Sequence, residues 1–120
     1  MYGLPKDFDG KRLVGHELVQ VCFGLYQIQL HFHERLSIFV ESAFLYSDSP
    51  TSETTKIALP DLPQTQAKLL QLLQHTIVNA YGDKKGTLTL AFDNGHVLQC
   101  LERPDYEAYQ IQQGDELIIV

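Results

Sequence analysis

The sequence is poor in cysteine, in positive charge and in long apolar runs, and each shortage excludes a class of function. Its two cysteines, Cys22 and Cys100, belong to no CxxC pair. Neither a disulfide framework nor a zinc or redox motif is spelled out. Both sit in apolar strand-like runs, where a free thiol behaves as a small hydrophobe. Nine Lys+Arg stand against fifteen Asp+Glu, a formal charge of −6. Nonspecific nucleic-acid binding needs a basic footprint, and anionic membrane surfaces attract basic segments, so neither partner is expected. No apolar stretch approaches the roughly 20 residues of a membrane-spanning helix. The first residues lack the basic segment and apolar run of a signal peptide, so a cytoplasmic location is the default expectation. Gly-rich phosphate loops, GxSxG elbows, HExxH helices and paired-carboxylate motifs are missing too. No enzyme activity and no cofactor are expected.

What is present is a globular composition over 120 residues, 44% hydrophobic and 20% charged. That length is one ordinary domain with a core of its own. Strict alternation dominates. Ile28, Leu30 and Phe32 point one way and Gln27, Gln29 and His31 the other, the pattern of a half-buried antiparallel strand. Leu36, Ile38 and Val40 repeat it after the turn His33-Glu34-Arg35. Leu18 to Phe23 reads as a preceding strand, and Ala43 to Tyr46 as a short following one. Residues 47–60 are polar and read as a loop. Residues 63–74 carry Ala67, Leu69, Leu70, Leu72 and Leu73, good helix formers at roughly helical spacing. They predict one amphipathic helix packed on the sheet. Strands resume at Ile77 to Tyr81, Thr87 to Phe92 and His96 to Leu101, with Asn94-Gly95 as a hairpin signal. Tyr106 to Ile111 and Leu117 to Val120 form a last hairpin about Gln113-Gly114-Asp115.

The second half repeats the first. Sixty residues on, Ile28, Leu30 and Phe32 fall on Leu88, Leu90 and Phe92, and Leu36, Ile38 and Val40 fall on His96, Leu98 and Cys100. Fifty-nine residues on, His16 and Val19 fall on His75 and Val78. After a small insertion, Ala43-Phe44 lies on Ala108-Tyr109. The expected fold is α+β and mostly antiparallel. Two three- to four-stranded meander halves, about 12–46 and 74–111, flank the helix. A three-residue turn at 33–35 keeps every apolar residue on one face, whereas a one-residue slip moves them all to the other. By the repeat, Asp93-Asn94-Gly95 is the equivalent turn.

The run Gly86-Thr87-Leu88-Thr89-Leu90-Ala91-Phe92-Asp93-Asn94-Gly95, followed by Tyr106-Glu107-Ala108-Tyr109-Gln110-Ile111, resembles a group of small uncharacterised bacterial proteins. Their pattern is G-x-L-x-L-x-F-x-(D/N)-G, then YE-(S/A)-(W/Y)-x-(I/L). The likeness covers roughly residues 68–111, with the first half as a degenerate copy, and Tyr109 stands where Trp is commoner. Such proteins are similar to immunity proteins of bacterial polymorphic toxin systems. The resemblance implies a protein-binding module without chemistry of its own and carries over no catalytic residues.

Candidate site residues follow from face and spacing. Phe39 leaves the polar side of its strand level with Gln29, and Tyr26 sits beside a turn. Both are candidates for contact with a protein partner. Tyr106, Glu107 and Tyr109 pair aromatic anchors with a charge, as interface hot spots do. The plainer reading is that both tyrosines cover the core edge while Glu107 bonds a turn. His31-x-His33 places two imidazoles on one strand face, and with His16 from the neighbouring strand it spells an alternative small metal- or ligand-binding domain. The plainer reading is a solvated polar face. His16 and His75 would cap or cross-brace the halves. The negative charge favours a basic partner, and an uncovered edge or the Phe39 face could form a homodimer.

Overall fold

The computed structural model describes residues 4–5, 7–41, 43–47, 54–58, 69–102 and 108–120. Two five-stranded antiparallel sheets face each other across the core. The strands are β1 (Leu18–Phe23), β2 (Ile28–Phe32), β3 (Leu36–Val40), β4 (Ala43–Ser47), β5 (Thr54–Ala58), β6 (Ile77–Gly82), β7 (Leu88–Phe92), β8 (Val97–Cys100), β9 (Tyr109–Gln113) and β10 (Glu116–Ile119). The first sheet runs β1-β2-β3-β9-β10 and the second β5-β4-β8-β7-β6. Each half therefore builds a three-stranded meander and then sends a hairpin to the other half's sheet.

The alternation explains the meanders. Ile28, Leu30 and Phe32 are buried, as are Leu36, Ile38 and Val40. Phe32 lies opposite Leu36, Leu30 opposite Ile38 and Ile28 opposite Val40. This is the register of a three-residue turn, with Glu34 and Arg35 in left-handed backbone at φ 64° and 61°. Each large apolar side chain so buried stabilises the fold by about 1.5–3 kcal/mol.

The halves are copies in space as well as in pattern. Both meanders carry an irregularity in their first strand pair, at Leu18/Gln20 and at Ile77/Asn79. Phe44 lies opposite Cys100, and Tyr109 opposite Val40. Where the copies meet, Glu17 bridges Thr76. The Leu18 amide donates to the His75 carbonyl and the Ile77 amide to the His16 carbonyl. Phe32 stacks on its own counterpart, Phe92, with ring centroids 6.4 Å apart. Contacts between equivalent residues mark an internal twofold relation.

The α+β expectation is corrected. Among the described residues the molecule is nearly all antiparallel β, and no helix reaches seven residues. Of the expected helix, residues 63–68 lie outside the described residues. Leu69 and Leu70 are helical and 71–74 form a turn, stopped by Gln74 at φ 71°. The physical reason lies in the repeat. This turn is the counterpart of a 3₁₀ turn at Gly10–Leu13. Each sends a fully buried leucine into the core at the same place, Leu13 or Leu72, the second turn adding Leu69, and each is followed by a left-handed residue, Gly15 at φ 95° or Gln74. Among the described residues, this turn is the part of the leucine-rich stretch that packs on the core. The loop expected over 47–60 is also corrected in part, because Thr54–Ala58 pairs with β4 as strand β5. Its β-branched Thr54, Thr55 and Ile57 suit that role.

Gly10 is fixed by a close approach. A Cβ there would lie 2.0 Å from the Ala80 carbonyl oxygen, so only glycine lets the turn lie against β6. No helix among the described residues is long and apolar enough to cross a membrane.

Candidate functional site

With the core between the sheets, chemistry is left to the two outer faces. Strand pairing sets the outer face of the first sheet in two rows. One row runs Cys22, Gln29, Phe39, Gln110, Ile119, and the other Gln20, His31, Ser37, Gln112, Leu117. No Asp, Glu, Lys or Arg occupies either row, although the chain carries −6. Charges gather at the rim. Arg35 pairs with Asp115 at 3.2 Å and Arg12 with Glu116. The Arg12 guanidinium donates to Glu116 and holds its carboxyl below the usual carboxylate range.

The amides of this face are ordered by one another. The Ser37 hydroxyl donates to His31 Nδ1 at 2.8 Å, and His31 Nε2 donates to Gln29 Oε1 at 3.1 Å. Gln29 Nε2 donates to Gln27 Oε1 at 2.8 Å, and Gln27 Nε2 to Glu41 Oε1 at 3.2 Å. Phe39 stands edge-on to the His31 ring, centroids 6.0 Å apart. Each side chain holds the next, so a partner would meet a surface whose rotamer entropy is already spent. Leu117 is 51% exposed.

The structure thus places Phe39 and His31 together on this face. Tyr26 is 69% exposed in the β1–β2 connection at its end. Tyr109 is not a surface group. It is fully buried, and its hydroxyl donates to the Gly86 carbonyl at 2.6 Å. Burial, with lesser effects of Cys100, Asp83 and Glu102, pushes its phenol well above the usual range, and burial pushes the Cys100 thiol up to about 12. Tyr106 and Glu107 lie outside the described residues. The alternation of Tyr109-Gln110-Ile111-Gln112 was the available signal that β9 adds two glutamines to the face. That β10 adds Leu117 and Ile119 depended on the sheet order.

The three histidines of the alternative metal reading do not converge. Both ring nitrogens of His31 are engaged within the face. His33 lies exposed in the β2–β3 turn. His16 is buried, and its Nδ1 donates to the His33 carbonyl at 2.7 Å. Among the described residues no three His, Cys, Asp or Glu are grouped to hold a metal ion. His75 occupies the equivalent place, but its Nδ1 lies 2.6 Å from the Asp93 carboxylate where His16 bonds a backbone carbonyl. Each histidine braces the hairpin turn of its own half through Nδ1, and its backbone carbonyl accepts from the other half.

Residues 10–120 match the model of a family of unknown function (DUF6188). The chain belongs to this family. The DUF6188 match begins at the 3₁₀ turn and takes in both copies of the meander and both exchanged hairpins, so the duplicated pair is the family's unit. No curated protein and no solved structure is matched by the chain.

Proposed function

We propose that this protein is a non-catalytic protein-binding module that docks its partner on the outer face of the first sheet. The observation that carries this reading is a five-stranded face without a single Asp, Glu, Lys or Arg in its rows, on a chain of net charge −6. Interfaces have such an anatomy, with charge depleted at the centre, aromatic anchors and a charged rim. Phe39, Leu117 and Ile119 supply apolar area. The glutamine and histidine chain supplies fixed donors and acceptors. The net charge of −6 favours a basic partner and speeds its approach. The resemblance to immunity proteins supports a finer reading, in which the partner is a bacterial protein silenced by occlusion.

The test is affinity capture from a lysate of the source organism with the native chain and with Phe39→Arg, both checked for native fold. A protein retained by the native chain and lost with Phe39→Arg supports docking on this face. Identical capture by both, or none by either, refutes it. For the finer reading, the captured protein's own activity should fall on adding the native chain.

A further inference from the structure

The described strands leave four sheet edges, β1 and β10 on the first sheet and β5 and β6 on the second. An edge strand presents a row of N–H and C=O groups ready to pair with another chain. Folded proteins blunt such rows with bulges, charged side chains or a covering segment. Three of these edges carry such a device. β1 is irregular at Leu18/Gln20, and Leu18 spends both backbone groups on the other half, its amide on the His75 carbonyl and its carbonyl on the Gln74 amide. β6 is irregular at Ile77/Asn79. Ile77 is bonded in the same way to His16 and Gly15, and the 3₁₀ turn lies against the strand at Gly10. β5 holds the exposed Lys56 at its middle.

β10 has none of these devices among the described residues. It pairs with β9 in unbroken register from Glu116 to Ile119, and Leu117, Ile118 and Ile119 bring neither charge nor proline. Its phase is fixed just beyond the strand, where the Val120 amide donates to the Tyr109 carbonyl at 2.9 Å and the Val120 carbonyl accepts from the Tyr109 amide. Antiparallel ladders alternate. Glu116 and Ile118 therefore turn their backbone groups toward β9, as Val120 does, and Leu117 and Ile119 turn theirs outward. Those outward groups have no partner among the described residues. The half-exposed Leu117 side chain stands beside them.

The strand's own sequence suits a second copy. Antiparallel pairing of β10 with itself, about a twofold axis through Ile118, sets Leu117 opposite Ile119 of the second copy on both sides of the axis. Both residues have outward backbone groups, so each pair exchanges both of its N–H···O bonds. Leucine beside isoleucine is also a favourable cross-strand contact. Glu116 falls opposite Val120, not another carboxylate, and Arg12 already holds its charge. No like charges meet directly along the strand, which matters between two chains of −6 each. A twofold interface needs a patch that fits itself, and this edge does. We infer that β10 is a dimerisation edge, along which two copies join their first sheets into one continuous sheet. The pairing leaves the outer face of each first sheet open, so it does not depend on the docking reading.

The test is sedimentation equilibrium of the full chain from about 10 μM to about 1 mM, the range suited to an interface below standard size. Expected is a reversible monomer–dimer equilibrium. Amide hydrogen exchange read by NMR should slow about tenfold or more at Leu117 and Ile119 between dilute and concentrated samples, and much less at Ile118, which already faces β9. Leu117→Lys copies the charge that guards β5, and Ile119→Pro removes a donor that β9 does not use. Each, checked for native fold, should weaken dimerisation about tenfold or more. Phe39→Arg should leave it unchanged. A dimer that survives both edge variants, a dimer lost in Phe39→Arg, or exchange at Leu117 and Ile119 that ignores concentration overturns the inference. So does a chain still monomeric at about 1 mM; if those two amides then slow only in complex with a captured protein, the edge belongs to that partner instead.

Discussion

Replacing Tyr109 by phenylalanine removes one oxygen from the most enclosed aromatic of the exchanged hairpins. The phenol is fully buried and donates to the Gly86 carbonyl at 2.6 Å. Gly86 is itself buried, so the carbonyl has no water to turn to. Leaving a buried acceptor unsatisfied costs about 1–3 kcal/mol. The ring itself should stay in place, because the repeat puts phenylalanine, Phe44, at the equivalent position of the other half. The expected loss is therefore the hydrogen bond alone, about 1–2 kcal/mol. At this chain length that lowers Tm by about 3–8 °C. It moves the urea midpoint by roughly 0.5–1.5 M. Tyr109→Leu, which also removes packing, should cost about 3–4 kcal/mol. The assay is urea unfolding followed by far-UV circular dichroism. An unchanged midpoint in Tyr109→Phe would refute the buried bond and the exchanged position of β9.

Other outcomes follow from the same geometry. Burial raises the pKa of both Cys100 and Tyr109 in the folded state, Cys100 from 9.0 to about 12. The unfolded chain ionises first, so their contribution to stability is intact below pH 9 and is lost as pH climbs toward 12. The loss is at most about 1.4 kcal/mol per pH unit for each group, and a urea midpoint constant from pH 7 to 10.5 contradicts it. A thiol reagent should titrate the half-buried Cys22 in the native protein, and Cys100 only after denaturation. Gly10→Ala forces a methyl against the Ala80 carbonyl and should cost about 1–3 kcal/mol, seen as a lower midpoint. His75→Ala releases the Asp93 brace, an exposed contact worth about 0.5–1 kcal/mol.

Much of this architecture is written in the alternation of side chains. Ile28, Leu30 and Phe32 against Leu36, Ile38 and Val40 specify one face and one register, because a one-residue slip turns the three apolar groups of a strand to the solvent face. The pairing of Phe44 with Tyr109 as equivalents is also legible. Their destination is not. Equivalence says that each half ends alike, while only the packed structure shows that each hairpin leaves its own meander for the other. Of the leucine-rich stretch, the described residues 69–74 end in a turn at Gln74, a left-handed stop that no glycine announces. β5 is hidden by polar neighbours that resemble a loop. Phe39 and His31 were visible as outward residues, but the face they belong to needs Gln110, Gln112, Leu117 and Ile119 from the far end of the chain.

The central claim is that one duplicated fold has turned its first outer face into a docking surface. The most direct measurement places the same charge at equivalent points of the two sheets, Phe39→Arg and Gln99→Arg, and compares the affinity of each folded variant for the captured partner. The account predicts at least a tenfold loss for Phe39→Arg and native affinity for Gln99→Arg. Native affinity in Phe39→Arg, or an equal loss in both, contradicts it.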